Sequence, residues 1–269
     1  MQSPGDKRLE RIAALRGILQ KPGKSDFDVA RGISIIEEEK IDFATLESVT
    51  KNPLGGNVIR IGITGSPGVG KSTLLNKLIC MEDFSGYKIA VIAIDPSSRI
   101  TKGAVLGDRI RITQGTVFEN IYFRSMATRG AYGGLNESIK SVLLFLANCG
   151  FDLIFVETVG VGQNEVEIAE CADLVLHVLD SSAGDDVQME KAGVMEVGDL
   201  YFVNKRDDRV NNQFISNLKS FASIANRASG VKPAVVVGSA VSGEGFDEII
   251  NHFNLPRPGQ IEMDERQEK

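Results

Sequence analysis

Short apolar runs rich in β-branched residues alternate along this chain with stretches of helical periodicity. From residue 58 onward, six such runs predict strands: Val58–Ile63, Lys88–Ile94, Asp152–Val156, Leu174–Leu179, Leu200–Val203 and Ala234–Val237. Their nearly continuous apolar character indicates burial on both faces of a sheet. Between them, apolar residues share one helical face around residues 74–79, 135–146 and 214–222. The alternation predicts an α/β fold, a mostly parallel sheet covered by helices on both faces through right-handed crossovers.

The first 55 residues predict a helical appendage to this sheet. Apolar residues recur at helical spacing in residues 7–20 and 28–40, and residues 42–50 are typical of a further short helix. Asn52-Pro53-Leu54-Gly55-Gly56 then breaks the helical pattern. We therefore predict an N-terminal helical extension (1–55), a sheet-containing domain (56–254) and a polar C-terminal tail (255–269).

Composition and charge exclude several classes of protein. The chain of 269 residues is 42% apolar and carries a net charge of −6, so it can form a core and is not disordered. No apolar stretch approaches the roughly 20 residues that span a membrane, and the N-terminus lacks the apolar core of a secretory signal. The three cysteines form no CxxC pair, which suits a reducing compartment. We expect a cytoplasmic protein, or a mitochondrial matrix protein in a eukaryote, that contacts neither membrane nor nucleic acid.

One motif carries a strong chemical signal. Gly65-Ser66-Pro67-Gly68-Val69-Gly70-Lys71-Ser72-Thr73 matches the phosphate-binding pattern G-x-x-x-x-G-K-[ST], and it lies between a predicted strand and a predicted helix, as that pattern requires. The glycines let backbone N–H groups turn towards phosphates, and the helix N-terminus adds partial positive charge. Lys71 is expected to bridge the β- and γ-phosphates, and Ser72 to bind Mg²⁺. The motif predicts a P-loop NTPase.

Two later segments predict that the bound base is guanine. Asn204-Lys205-Arg206-Asp207 follows a predicted strand and fits N-K-x-D, in which the Asp207 carboxylate accepts hydrogen bonds from guanine N1–H and its exocyclic amine. Adenine does not offer that pair of donors. After the last predicted strand, Ser239, Ala240 and Val241 occupy the place where a loop presents backbone N–H groups to guanine O6. Together with the phosphate loop, these segments predict GTP and GDP as ligands.

The segment after the strand Asp152–Val156 predicts the hydrolytic side of the site. Glu157-Thr158-Val159-Gly160 resembles D-x-x-G with glutamate in place of aspartate, and Glu157 is expected to hold Mg²⁺ through water. Small GTPases commonly place a water-orienting glutamine directly after this glycine, whereas Gln163 stands two positions further on. We predict Lys71, Glu157 and Gln163 as the catalytic residues, with slow intrinsic hydrolysis.

Further carboxylates are candidates for the metal site. Asp95 ends the strand Lys88–Ile94, and Asp108 lies in a Gly-Asp-Arg segment; each is alternatively an ordinary turn residue. The predicted metal set is therefore Ser72, Asp95, Asp108 and Glu157. Three arginines could stabilise transition-state charge but are interpreted as structural or solvated: Arg109, Arg124 and Arg129.

Seven segments together resemble the MeaB/ArgK family of GTPases: Ala30–Ser34, the phosphate loop, Ile94–Ser98, Leu106–Arg111, Arg124–Gly130, Glu157–Gln163 and Asn204-Lys205. The resemblance implies a chaperone GTPase that couples nucleotide state to the loading and protection of adenosylcobalamin in an acyl-CoA mutase, chiefly methylmalonyl-CoA mutase. Adenosylcobalamin then belongs to the client enzyme. The resemblance also implies an additional switch over residues 180–191, in which Gln188 and Lys191 report nucleotide state.

Several alternatives stay open at this point. A GTPase that inserts nickel into enzymes would share the sheet, although such proteins usually carry His- or Cys-rich tracts that this chain lacks. A kinase linked to amino-acid transport is disfavoured by N-K-x-D, and a binding module would hold the nucleotide only to shape a surface. Family members usually continue into a helical arm used for dimerisation, whereas this chain ends soon after Phe253. The resemblance therefore leaves open whether this chain forms a homodimer.

Overall fold

The structure is a computed structural model, and it describes residues 4–50, 58–95, 120–127, 134–158, 168–180, 197–205, 211–225 and 230–255. The α-helices in these ranges are α1 (Pro4–Gln20), α2 (Asp26–Glu39), α3 (Phe43–Val49), α4 (Lys71–Leu78), α5 (Gly134–Ala147), α6 (Asn212–Ile224) and α7 (Phe246–His252). The strands are β1 (Ile59–Thr64), β2 (Ile89–Asp95), β3 (Ile121–Ala127), β4 (Leu153–Thr158), β5 (Leu174–Asp180), β6 (Leu200–Asn204) and β7 (Ala234–Gly238).

The described strands form one sheet in the order β3-β2-β4-β1-β5-β6-β7, with every pair parallel. β1 lies at the centre, between β4 and β5. The strands β2 to β4 are on one side of β1 and β5 to β7 on the other, so the direction of winding reverses at β1. In open parallel sheets, ligands bind at the carboxyl ends of the strands where this reversal occurs. The predicted α/β fold is confirmed, and its central strand leads directly into the phosphate-binding motif.

Helices cover both faces of the sheet, as the sequence predicted. Leu176 and Val178 of β5 belong to a buried cluster with α4 and α7, whereas Val175 and Leu179 point to the opposite face. That opposite face carries α1, α2, α3, α5 and α6. None of the helices in the described ranges is long and apolar enough to cross a membrane.

The N-terminal helices share the core of the sheet domain. Ile33 of α2 is fully buried in the same cluster as Ile92 of β2. At Gly32 a Cβ atom would lie 2.1 Å from the ring of Phe145 in α5, so a side chain at that position would have to displace this buried ring. The boundary predicted at residue 55 lies outside the described residues and stays a prediction.

An ion pair joins α2 to the edge strand β3. Arg124 of β3 contacts the carboxylate of Glu37 at 2.8 Å and the hydroxyl of Ser34 at 3.3 Å. Both charged side chains are largely buried, with 27% and 17% exposure, so the pair anchors the strand to the helix. This contact supports the interpretation of Arg124 as a structural arginine.

Two cysteines and a histidine lie in the core rather than in a reactive or metal-binding environment. Cys149 and Cys171 are buried, and burial raises the pKa of the Cys149 thiol to about 12. His177 is buried in β5 with its ring 5.9 Å from that of Tyr201. Within the described ranges, no group of three or more His, Cys, Asp or Glu side chains is placed to hold a metal ion.

Candidate nucleotide-binding site

The turn between β1 and α4 has a shape that depends on glycine. Gly65 and Gly70 have φ values of 136° and 103°, in the left-handed region that glycine adopts most readily. A Cβ atom on Gly65 would lie 2.1 Å from the carbonyl oxygen of Val178, and one on Gly70 would lie 2.5 Å from Nδ2 of Asn204. The motif therefore lies directly against β5 and β6, and these glycines are required by the close approach as well as by the backbone angle.

Lys71 holds its ammonium group inside this turn. The residue is only 6% exposed, and Nζ donates hydrogen bonds to the carbonyl oxygens of Gly65 at 2.6 Å and Ser66 at 2.9 Å. Gly70, the N-cap of α4, has no side chain to cap the helix, so first-turn N–H groups of α4 are available to an anion. A concave backbone, a helix N-terminus and a lysine together fit a polyphosphate.

A hydroxyl and a carboxylate meet beside the phosphate loop. Ser72 of α4 donates a hydrogen bond to Oε1 of Glu157, which lies at the end of β4 and is 5% exposed. Glu157 is in register with Ile63 of β1, so the strand pairing itself brings the carboxylate next to the motif. Hydroxyl and carboxylate oxygens are the ligands that Mg²⁺ prefers, and this pair fits the predicted metal site.

The other two predicted metal ligands, Asp95 and Asp108, lie wholly or partly outside the described residues. The backbone of Asp95 ends β2 and lies at the same edge of the sheet as Glu157, since Ala93 of β2 is in register with Glu157. The side chain of Asp95 and the whole of Asp108 lie outside the described residues. Magnesium coordination by these carboxylates stays a prediction.

Asn204 joins the phosphate loop to the loop after β7. It ends β6 and is 4% exposed; its Nδ2 donates to the Val69 carbonyl oxygen at 2.8 Å, and its Oδ1 accepts from the Ala240 N–H at 2.9 Å. Both ends of the amide are thus bonded to protein. The geometry gives Asn204 a positioning role, in which one buried side chain fixes the two loops relative to each other.

Residues 239–245, here called the base loop, contain the backbone groups predicted to contact guanine O6. In this structure the Ser239 N–H donates to the Glu244 carbonyl oxygen at 3.1 Å, and the Ala240 N–H donates to Asn204. Val241 is 77% exposed at the tip of the loop. Lys205 reaches the same loop through an ion pair with Glu244 at 2.7 Å. Recognition of O6 by Ser239, Ala240 and Val241 stays a prediction.

Two residues outside the motifs also help to fix the position of the base loop, Lys77 from α4 and Glu244 from within the loop. Lys77 of α4 donates to the carbonyl oxygen of Val241, and Glu244 holds the ammonium of Lys205. Neither stands out in the sequence, because each is a charged residue at an exposed position with no pattern to mark it. Three predicted site residues lie outside the described residues, namely Asp108, Gln163 and Asp207, as do Gln188 and Lys191 of the predicted additional switch.

A phosphate loop follows the central strand of a parallel sheet, and an asparagine at the end of β6 joins it to a second loop. These features define a P-loop nucleotide-binding protein. The chain belongs to the MeaB family of GTPases, because the family described as "Methylmalonyl Co-A mutase-associated GTPase MeaB" matches its residues 29–260. It is a GTPase, as the sequence predicted.

Proteins of similar sequence support the assignment to this family. A Pyrococcus abyssi protein named "Putative GTPase" is 42% identical over 248 residues, which are 88% of this chain and 75% of that protein. The GTPase ArgK of Escherichia coli is 39% identical over 73% of this chain and 61% of its own length. The mouse methylmalonic aciduria type A homolog, named as mitochondrial, is 34% identical over 71% of this chain. This chain spans only 47% of the mouse protein.

Solved structures agree with the fold. A crystal structure of a LAO/AO transport system kinase has a TM-score of 0.62 at 26% identity, covering 94% of this chain and 76% of that one. HypB from Helicobacter pylori, solved in complex with nickel, has a TM-score of 0.54 at 16% identity and covers 79% of this chain and 91% of its own. At that identity the likeness to HypB shows the fold alone.

Proposed function

We propose that this GTPase is a Mg²⁺-dependent nucleotide switch for a cobalamin-dependent acyl-CoA mutase of the methylmalonyl-CoA mutase type. In this role it assists the loading and protection of adenosylcobalamin, which is bound by the client. The proposed nucleotide binding rests on one observation. At one edge of the sheet lie Lys71, the Ser72–Glu157 pair and Asn204. The client is supported by the family's description. We place the protein in the cytoplasm, or in the mitochondrial matrix of a eukaryote.

The chemistry of this site consists of positioning and charge neutralisation. Lys71 and the backbone N–H groups at the start of α4 hold the terminal phosphates, so that an attacking water meets the γ-phosphate in line. Ser72 and Glu157 would hold Mg²⁺, which would supply positive charge to the phosphates of the nucleotide. Gln163 is displaced from the usual position of the water-orienting residue. The isolated protein therefore hydrolyses GTP slowly, and a partner completes the site.

GTP turnover with and without the client tests this function. The purified chain is assayed at saturating Mg²⁺ alone and with a cobalamin-dependent methylmalonyl-CoA mutase, with ATP as the control nucleotide. We expect slow turnover alone and at least about tenfold stimulation by the mutase, which corresponds to about 1.4 kcal/mol of transition-state stabilisation. The Lys71→Ala variant with the same mutase controls for contaminating GTPase.

Each contrary outcome of this assay has a separate meaning. A rate of GTP hydrolysis that does not change with the mutase would contradict the assignment of this client but not the assignment as a GTPase. Turnover of ATP at a rate similar to that of GTP contradicts the guanine site and favours the kinase alternative. Full client activity of Lys71→Ala without bound nucleotide favours a binding module over a switch.

The base preference has its own test at Asp207. Replacing Asp207 with asparagine is expected to shift preference from guanine towards xanthine nucleotides, because an amide can donate to the 2-oxo group that replaces the guanine amine. Competition of GDP and XDP for the variant measures the shift, and we expect at least about a 100-fold change in their ratio. Asp247→Asn, at an exposed position of α7, is the matched control. An unchanged GDP affinity in Asp207→Asn would remove this residue from the site.

A further inference from the structure

A lysine outside the known motifs connects the phosphate side of the site to the base loop. Lys77, near the end of α4, donates a hydrogen bond from Nζ to the carbonyl oxygen of Val241. Its stem follows the same loop, since a Cβ atom on Gly243 would lie 3.5 Å from Cε of Lys77. The same helix begins with Lys71 and Ser72. One helix thus carries the phosphate-binding residues at its start and a contact to the base loop in its last turn.

The base loop is bonded internally, so a contact at its tip constrains all of it. Ser239 and Glu244 form an antiparallel bridge across its base. The Gly243 N–H donates to the Ser239 carbonyl oxygen at 2.8 Å, and the Ser242 N–H donates to the Ser239 hydroxyl at 3.3 Å. Because these bonds close the loop on itself, holding Val241 also holds Ala240 next to it.

The base loop is attached from more than one side. Asn204, the last residue of β6, and Lys205, which follows it, hold the loop at Ala240 and Glu244. Lys77 holds the loop from α4, the helix that begins with the predicted phosphate-binding residues. A charged donor to a carbonyl oxygen is stronger than a neutral one, and a lysine in the last turn of a helix also faces the negative end of the helix dipole. Both effects favour this arrangement of the ammonium group.

We infer that Lys77 is a positioning residue of the guanine site, which fixes the base loop to the phosphate-binding helix and thereby slows the release of guanine nucleotides. The inference rests on the proposed placement of the base at residues 239–241. Without the Lys77 contact the base loop opens more often, and the base loses its contacts while the phosphates keep theirs. The role therefore predicts an effect on whole nucleotides that is absent for a ligand without a base.

The experiment compares GDP with inorganic pyrophosphate on the full chain. Lys77→Met keeps the length of the stem and removes the donor, whereas Lys77→Arg keeps a cationic donor. The dissociation rate of a fluorescent GDP analogue is measured by chase with excess GDP, and pyrophosphate binding is measured by competition. We expect Lys77→Met to release GDP about fivefold faster, as for loss of one exposed charged hydrogen bond. Its pyrophosphate affinity should stay within about twofold of the parent value.

The controls separate positioning from a general effect on the helix. Lys77→Arg should restore GDP release to within about twofold of the parent rate. Lys219→Met, at an exposed position of α6 on the opposite face of the sheet, should leave it unchanged. An unaltered GDP rate in Lys77→Met, or equal losses of GDP and pyrophosphate affinity, would overturn the inference. A parent chain that binds pyrophosphate but not GDP would instead refute the guanine site itself, and the role of Lys77 with it.

Discussion

Replacement of Lys71 by alanine is expected to reduce the rate of GTP hydrolysis by about 10²–10³-fold. Lys71 is buried, with 6% of the residue exposed, and its ammonium group is fixed in the phosphate loop by the Gly65 and Ser66 carbonyl oxygens. In the proposed site its charge would lie where negative charge develops on the transferred phosphoryl group. Single-turnover conversion of bound GTP to GDP, measured after quenching the reaction, reports the effect, because it does not depend on product release.

The matched control is Lys219→Ala, which removes a lysine from an exposed position of α6. Thermal unfolding of both variants shows whether the fold is kept, since loss of Lys71 also leaves two carbonyl oxygens without this donor. A Lys71→Ala protein that is folded and hydrolyses GTP within about tenfold of the parent rate would contradict the assignment.

Replacement of Asn204 by alanine is expected to weaken GDP binding by about 100-fold. The substitution leaves the buried Val69 carbonyl oxygen and Ala240 N–H without their partner, and each unsatisfied group costs about 1–3 kcal/mol. The phosphate loop and the base loop then lose the side chain that fixes their spacing. The free-energy cost of ordering the two loops on binding therefore reduces the affinity for GDP. Equilibrium titration with a fluorescent GDP analogue measures this loss.

Asn217→Ala is the matched control for this prediction, because Asn217 lies in α6, where it accepts a hydrogen bond from Gln213 of the same helix. It should bind GDP as the parent does. Pyrophosphate competition adds a further comparison: Asn204→Ala should weaken pyrophosphate binding as well, since Asn204 contacts the phosphate loop directly through Val69. This outcome distinguishes Asn204 from Lys77. A GDP affinity within about threefold of the parent value would contradict the positioning role.

The ends of the predicted strands show where sequence patterns stop being informative. The predictions ended β1 at Ile63, β4 at Val156 and β6 at Val203, whereas the strands continue to Thr64, Thr158 and Asn204. The hydrophobic pattern ends at the last apolar residue, but the hydrogen-bonded ladder continues through polar residues. These extra residues are at the carboxyl edge of the sheet, and they include Glu157 and Asn204 of the site.

The strand β3 was missed by the sequence analysis for a related reason. Its segment, Ile121–Ala127, contains Arg124 and Ser125 and so lacks a continuous apolar run. Among the described strands, β3 pairs with β2 alone and lies at the edge of the sheet. Arg124 is accommodated there because Glu37 of α2 neutralises it, a contact between residues far apart in sequence.

The sequence by itself determined the features that depend on neighbouring residues. The alternation of strand and helix patterns determined the α/β class, and the contiguous phosphate motif determined where a polyphosphate site is predicted. Tertiary structure decided how the rest of the site is held together. Asn204 reaches Val69 across 135 positions, and Lys77 reaches Val241 across 164. Those contacts follow from the order β1-β5-β6-β7, which brings the ends of distant strands to one edge, and local periodicity does not encode that order.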